Sequence, residues 1–466
     1  MATQSIIMQT LRNSKISLIS IVLVSMIIGV GIVITNPILI WGGVSYLVFL
    51  GLFLFSPGKA FLLVIFIRVI SDGYGLSSLP IVGDLMIGGS GSLINAGLLG
   101  AVIIWSLFLI INQQGVLDYP LVIPFLLFML FSFFSALFSH SQSLFDSILI
   151  WARLLSTFLI YVSTVILLRK GQLSPISLIN AVLVMGIIPI IVGFYNLLTG
   201  NISIIRGVVA YGSTFSSKNQ YAIFLIFLII IILSVMWDKK RNNIIYLLYL
   251  LVAITALLLI RSRVGLLTAF VVLLFLASIF HKRLLIVIPV IALVAYRFIP
   301  GMSLRFSQTL MEGSTLYERF DFWRLSYDLF LNNRRYLFGN GLGYFETIRG
   351  IPPHSAYVQL LVELGVLGLI AFLTLIISML YRSYLLVINR DQEYKMWGIL
   401  SIGLIFTLLI TSLTENTLYS SAVLWPFWML MGGAMHFAYS TNHKVFGRAV
   451  ENSNLRIKAK TETENI

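Results

Sequence analysis

Long apolar runs alternate with short polar connections along most of the chain, without the period-2 alternation of a barrel strand. A hydrocarbon core about 30 Å thick takes roughly 20 apolar residues per helix. Inside lipid every backbone group must bond within its own element, so runs of this kind read as helices. The pattern predicts about fourteen spans, at 15–35, 37–56, 58–71, 93–112, 120–139, 145–168, 175–198, 219–237, 243–260, 263–280, 283–299, 357–386, 396–414 and 419–440. The third is short and contains Arg68, which marks it as broken or re-entrant. One stretch departs from the alternation. Between Pro300 and Pro353 the chain is polar, charged and aromatic. Within it Leu316, Phe320, Trp323, Tyr327 and Phe330 recur at spacings of 4, 3, 4 and 3, the stripe of an amphipathic helix. Glu318, Arg319, Asp321, Arg324 and Asp328 form its polar side, and Gly339-Asn340-Gly341-Leu342-Gly343 reads as a turn that ends it. The expected fold is all-α, a polytopic integral membrane protein with about 12–14 transmembrane helices and one large extracytoplasmic loop.

Composition agrees with that picture. The 466 residues are 59% hydrophobic and 10% charged, where soluble chains carry about 25% charge. The apolar run after Arg12 and Lys15 is too long for a signal peptide and has no small-residue cleavage site, so it reads as a retained first span. The absence of cysteine excludes disulfides and thiol chemistry. A net charge of +14 reads as the basic bias of cytoplasmic loops rather than a nucleic-acid surface.

That bias orients the chain. With the N-terminus inside, Lys59, Arg169-Lys170, Lys239-Lys240-Arg241, Lys282-Arg283, Arg382, Arg390, Lys395 and the basic tail all fall on the cytoplasmic side. Gly73–Ser92, Gly200–Lys218 and Gly301–Pro353 fall outside. The chain then divides into N-terminal helices (1–203), core helices (204–299), an extracytoplasmic loop (300–356), C-terminal helices (357–442) and a polar cytoplasmic tail (443–466).

Arginines on the outer side break the inside rule. Arg206 precedes the eighth span, and Arg261 and Arg263 share the tight turn Arg261-Ser262-Arg263-Val264-Gly265. They snorkel to lipid headgroups, or they meet an anion, for which the guanidinium fork suits a diphosphate. His354 follows Pro352-Pro353 and opens a span. A histidine there is structural, or it is a base near neutral pH. Gln359 and Glu363 lie in the first turns of that helix, and Glu415 lies at the outer end of the thirteenth span as an exposed cap or a site carboxylate. The five histidines do not cluster, so no metal is expected. No nucleotide-binding motif is present. The glycine-rich Gly88-Gly89-Ser90-Gly91 has no Gly-Lys-Ser/Thr ending and reads as a flexible external loop.

These pieces together resemble the bacterial O-antigen ligase/O-antigen polymerase superfamily of membrane glycosyltransferases. The resemblance rests on Arg206 with Gly212-Ser213-Thr214-Phe215-Ser216-Ser217-Lys218-Asn219, on Ser262-Arg263-Val264-Gly265, on Arg319 to Trp323 with Phe338-Gly339-Asn340-Gly341-Leu342-Gly343, and on His354-Ser355-Ala356-Tyr357-Val358-Gln359-Leu360-Leu361-Val362-Glu363-Leu364-Gly365. It spans residues 204–416. Ser355 stands where the family usually has Asn, and Lys218 where it often has Pro. The resemblance implies inverting, metal-independent and cofactor-free transfer of a glycan from an undecaprenyl-diphosphate donor at the outer face of the bacterial inner membrane. His354 is then the catalytic base, Arg206, Arg263 and Arg261 bind the diphosphate, and Arg319, Gln359, Glu363 and Glu415 support the site. The implied acceptor is a second lipid-linked glycan, a lipid A core or a protein. A flippase and a chain-length regulator are the implied partners. The alternative class is a transporter or lipid-linked-glycan flippase, for which Arg153 and Arg68 are the mid-span charges.

Overall fold

The computed structural model describes residues 52–53, 55–72, 91–139, 143–200, 203–205, 208–210, 213–237, 244–280, 282–298, 303, 315–350 and 352–439. The first two predicted spans (apart from a few residues at the end of the second), most of the Gly73–Ser92 connection, Arg206, residues 304–314 and the tail lie outside them.

Before the large polar segment the helices are α1 (Pro57–Ser71), α2 (Gly91–Ile111), α3 (Val122–Leu137), α4 (Leu144–Arg169), α5 (Pro175–Leu198), α6 (Lys218–Trp237), α7 (Ile244–Ile260), α8 (Arg263–Phe280) and α9 (Leu284–Phe298). The polar segment carries α10 (Thr315–Asn332) and α11 (Tyr344–Arg349). Then follow α12 (Ala356–Val387), α13 (Gln392–Ser412) and α14 (421–439). Apart from α10 and α11, which lie in the polar segment, each falls within a few residues of its predicted span. The helices α4, α5, α6, α12 and α13 are long and apolar enough to cross a membrane. The protein is therefore a helical membrane protein.

Local signals set the helix starts. Pro57 and Pro175 occupy first-turn positions, where a missing N–H costs nothing. Ser143 caps α4, Ser174 and Ser177 form a reciprocal capping box on α5, and Asp391 caps α13. At the centre lies α6, buried on every side from Tyr221 to Ile232 and packed against α5, α7, α8 and α13. Aromatic contacts reinforce the core: Phe275 of α8 stacks on Phe406 of α13 at 4.0 Å, and Phe125 of α3 meets Trp428 of α14 at 4.4 Å.

Three features differ from the sequence reading. Residues Ser203–Ile205 (β1) and Val208–Ala210 (β2) pair antiparallel, Ser203 opposite Ala210, a short ribbon added to an otherwise all-α fold. Helix α10 packs only part of the predicted stripe, Trp323 and Phe330. Phe320 and Tyr327 are exposed, while Ser326 is buried and Phe322 and Trp323 are half-buried. The stripe holds only for part of its length because aromatic residues lie on both sides of this helix, so hydropathy alone does not single out the packed one.

The third difference is in α12, which is broken rather than continuous. Gly365 stands at φ 71°, ψ −169°, a conformation open in practice only to glycine. The Tyr336–Gly341 segment fills the break. Asn340 N–H donates to Val362 O at 2.9 Å and Gly341 N–H to Glu363 O at 3.0 Å. In return Val366 N–H donates to Tyr336 O at 2.8 Å and Leu367 N–H to Leu337 O at 3.2 Å. Ser135 of α3 adds a bond to Glu363 O at 2.7 Å. A Cβ on Gly339 would lie 2.3 Å from Glu363 O, and one on Gly365 would lie 2.5 Å from Gly339 N. The glycine run read as a turn is thus a plug that satisfies backbone groups freed inside an apolar helix, where each orphan costs several kcal/mol, on the order of 2 or more.

Candidate functional site

Four chain segments converge on Glu415, just beyond α13. The Arg319 guanidinium of α10 pairs with Glu415 Oε1 at 2.7 Å. Asn219 Nδ2, from the first turn of α6, donates to the same oxygen at 2.6 Å. Ser262 Oγ then donates to Asn219 Oδ1 at 2.7 Å and accepts from Gly265 N–H at 3.1 Å, so it caps α8 while it fixes the amide. Ser262 is fully buried, and Arg319 and Glu415 keep 15% of their side-chain surface. Glu415 is therefore no exposed cap. Burial pushes its carboxyl above the usual range, opposed by Arg319, Asn219 and Lys218.

His354 sits beside this network. Its backbone φ is 53°, in the left-handed region that few non-glycine residues adopt. The preceding Pro353 carbonyl accepts from Trp323 Nε1 of α10 at 3.1 Å, and the imidazole packs 6.2 Å from the Phe322 ring. One face of α10 thus holds the histidine while Arg319 on the same helix reaches Glu415. Burial lowers the His354 pKa below its ordinary value, Arg319 lowers it further, and Glu318 opposes them. A lowered value leaves the imidazole neutral at pH 7, the form that accepts a proton. Immediately after it, Ser355 caps α12, accepting from Val358 N–H and donating to Ser412 O at 3.4 Å. The serine is thus tied to the end of α13, three residues from Glu415.

Gln359 and Glu363 are buried, at 2% and 0% exposed. Gln359 Nε2 donates to Glu363 Oε1 at 3.1 Å, and Tyr419 OH donates to Glu363 Oε2 at 3.0 Å. These two tie the first half of α12 to the Thr417–Tyr419 turn.

Arg263 opens α8 directly after Ser262, and Arg261 precedes it at φ 53°; both are half-buried. Ser262 links this turn through Asn219 to Glu415. Arg206, the third arginine of the predicted set, lies outside the described residues. Asn219, Ser262 and Tyr419 were the polar groups that sequence reasoning left without a role. The first two stand inside quoted motifs, but nothing in the spacing shows that they bond each other. Among the described residues no three His, Asp or Glu side chains gather as a metal-ligand set. No protein-family model matches the chain, and no curated protein is similar to it.

Proposed function

We propose that the protein is a membrane glycosyltransferase that moves a glycan from a polyprenyl-diphosphate carrier to a hydroxyl acceptor at the outer face of the membrane. The observation that carries it is the neutral-leaning His354, held by α10 in a strained backbone beside the Arg319–Glu415–Asn219–Ser262 network that leads to Arg263. The motif resemblance supports the same reading. In this reaction His354 takes the acceptor's proton. The acceptor oxygen attacks the anomeric carbon, and the carbon–oxygen bond to phosphate breaks with inversion. The electron pair leaves on the lipid diphosphate, which Arg263, Arg261 and Arg206 stabilise. Two membrane-anchored reactants held together supply part of the rate. The acceptor is a second lipid-linked glycan, a lipid A core or a protein.

In cells, His354→Ala, Arg206→Ala and Arg263→Ala should each abolish chain extension or ligation with the protein still present in the membrane. Surface glycan of normal amount and length from the His354→Ala strain would contradict the reading. A transporter reading draws on Arg68 and Arg153. It predicts that glycan crosses the membrane of proteoliposomes without any new glycosidic bond.

A further inference from the structure

Arg68 stands in the last turn of α1 and is buried. Its Nη2 pairs with Asp72 Oδ1 at 2.7 Å and its Nε donates to Ser421 Oγ at 2.8 Å, while Nη1 is buried without a partner. Asp72 Oδ2 accepts from Ser216 N–H at 2.9 Å. Two residues earlier, Thr214 is fully buried and donates to Val69 O at 3.4 Å. The end of α1 therefore grips two separate stretches of chain, residues 214–216 and the start of α14.

Those two stretches carry the two ends of one bond in the candidate site. Asn219 follows Ser216 by three residues, Glu415 precedes Ser421 by six, and Asn219 Nδ2 donates to Glu415 Oε1 at 2.6 Å. The path from Ser216 into α6 is itself fixed. Ser216 Oγ donates to Gln220 Oε1 at 2.8 Å, and Gln220 N–H donates to Ser217 Oγ at 3.1 Å. Stability alone does not account for the Arg68–Asp72 pair. Desolvation of two buried charges offsets much of their attraction, so apolar residues of the same volume are often as stable. The bare Nη1 adds a further cost. Apolar residues, however, cannot make the directed bonds to Ser421 and Ser216 that set one stretch of chain against the other.

We propose that Arg68 and Asp72 are positioning residues for glycosyl transfer, a bracket at the end of α1 that sets the 214–219 segment and the 415–421 turn in the register where Asn219 meets Glu415. Arg319 bonds the same Glu415 oxygen, and its helix also carries Trp323, which holds the Pro353 carbonyl next to His354. The effect on rate rests on the glycosyl-transfer reading; the effect on register does not.

The test has two readouts on the full-length protein in nanodiscs. The chain has no cysteine, so Ser216→Cys and Leu413→Cys, both at exposed positions, take spin labels selectively and keep the backbone N–H that bonds Asp72. Pulsed EPR should give one narrow distance distribution, which Arg68→Gln and Ser421→Ala each broaden or shift. Ser421→Ala removes a single hydrogen bond and leaves the ion pair intact, so it decides the matter even where Arg68→Gln does not fold. Wild-type distances in Ser421→Ala and in folded Arg68→Gln overturn the bracket. In glycan transfer, Arg68→Gln should lower kcat on the order of tenfold or more with little change in KM, and Arg68→Lys, which keeps the charge beside Asp72, should recover part of it. Arg68→Gln combined with Asn219→Ala should lose no more than the worse single variant, because both act on one bond. Losses that multiply would place the action of Arg68 elsewhere and overturn its positioning role. Broadened distances with no transfer by the wild type would support the register device and overturn the glycosyl-transfer reading.

Discussion

At the scale of the residue, His354 combines an unremarkable side chain with an uncommon backbone. Its left-handed φ of 53° stores strain on the order of 1–3 kcal/mol, held by the Trp323–Pro353 bond and the Ser355 cap. As a general base it works only when neutral. The rate should then rise with pH through the histidine's pKa and level off above it. Burial and Arg319 hold that pKa below about 6.5, so the plateau is reached by neutral pH. Arg319→Met removes the neighbouring cation, and the acid limb should move to higher pH; Glu318→Gln should move it lower. A rate profile that ignores both substitutions would count against His354 as the base. The Arg319–Glu415 pair is measurable by itself. A double-mutant cycle with Arg319→Met and Glu415→Gln, read by thermal unfolding in detergent, should return a coupling of about 0.5–3 kcal/mol. A coupling near zero would mean that the 2.7 Å contact carries no energy.

At the scale of the element, the break in α12 is the most specific device. Gly365→Ala places a Cβ 2.5 Å from Gly339 N and forbids the native φ. It should destabilise the protein by about 3 kcal/mol or more and lower its melting temperature and yield. Unchanged melting would show that the plug is not needed. Glu363→Gln, which keeps the Gln359 and Tyr419 contacts within reach, should be milder than Glu363→Leu. The hydropathy pattern located this helix almost to the residue but read through its interruption. Leu364 and Val366 are as apolar as any span interior, and the groups that replace the lost helical bonds come from a segment some twenty-five residues earlier. Periodicity within an element is blind to such a partner. The packed face of α10 escaped for a related reason, since the choice between two aromatic faces is made by Pro353 and the α12 start that it meets.

At the scale of the whole molecule, the pattern of apolar runs was enough for the class and the order of helices, because chain solvation by lipid is a coarse, summed property. The site was legible in part. Arg319, Glu415 and the Ser262-Arg263 turn were singled out as separate outer-side groups, and the fold joins them through Asn219, which no spacing rule connects to residues 43 and 196 positions away. Gln359 and Glu363, expected to support the site at the start of its helix, bond each other and Tyr419. The central claim is that this junction transfers glycans with His354 as base. The most direct measurement is glycan transfer by the purified protein in liposomes that contain polyprenyl-diphosphate-linked oligosaccharide, comparing the wild type with His354→Ala at equal folded amount. The account predicts a new inverted glycosidic linkage from the wild type and a rate at least about a hundredfold lower from the variant. Equal rates from the two proteins would contradict it.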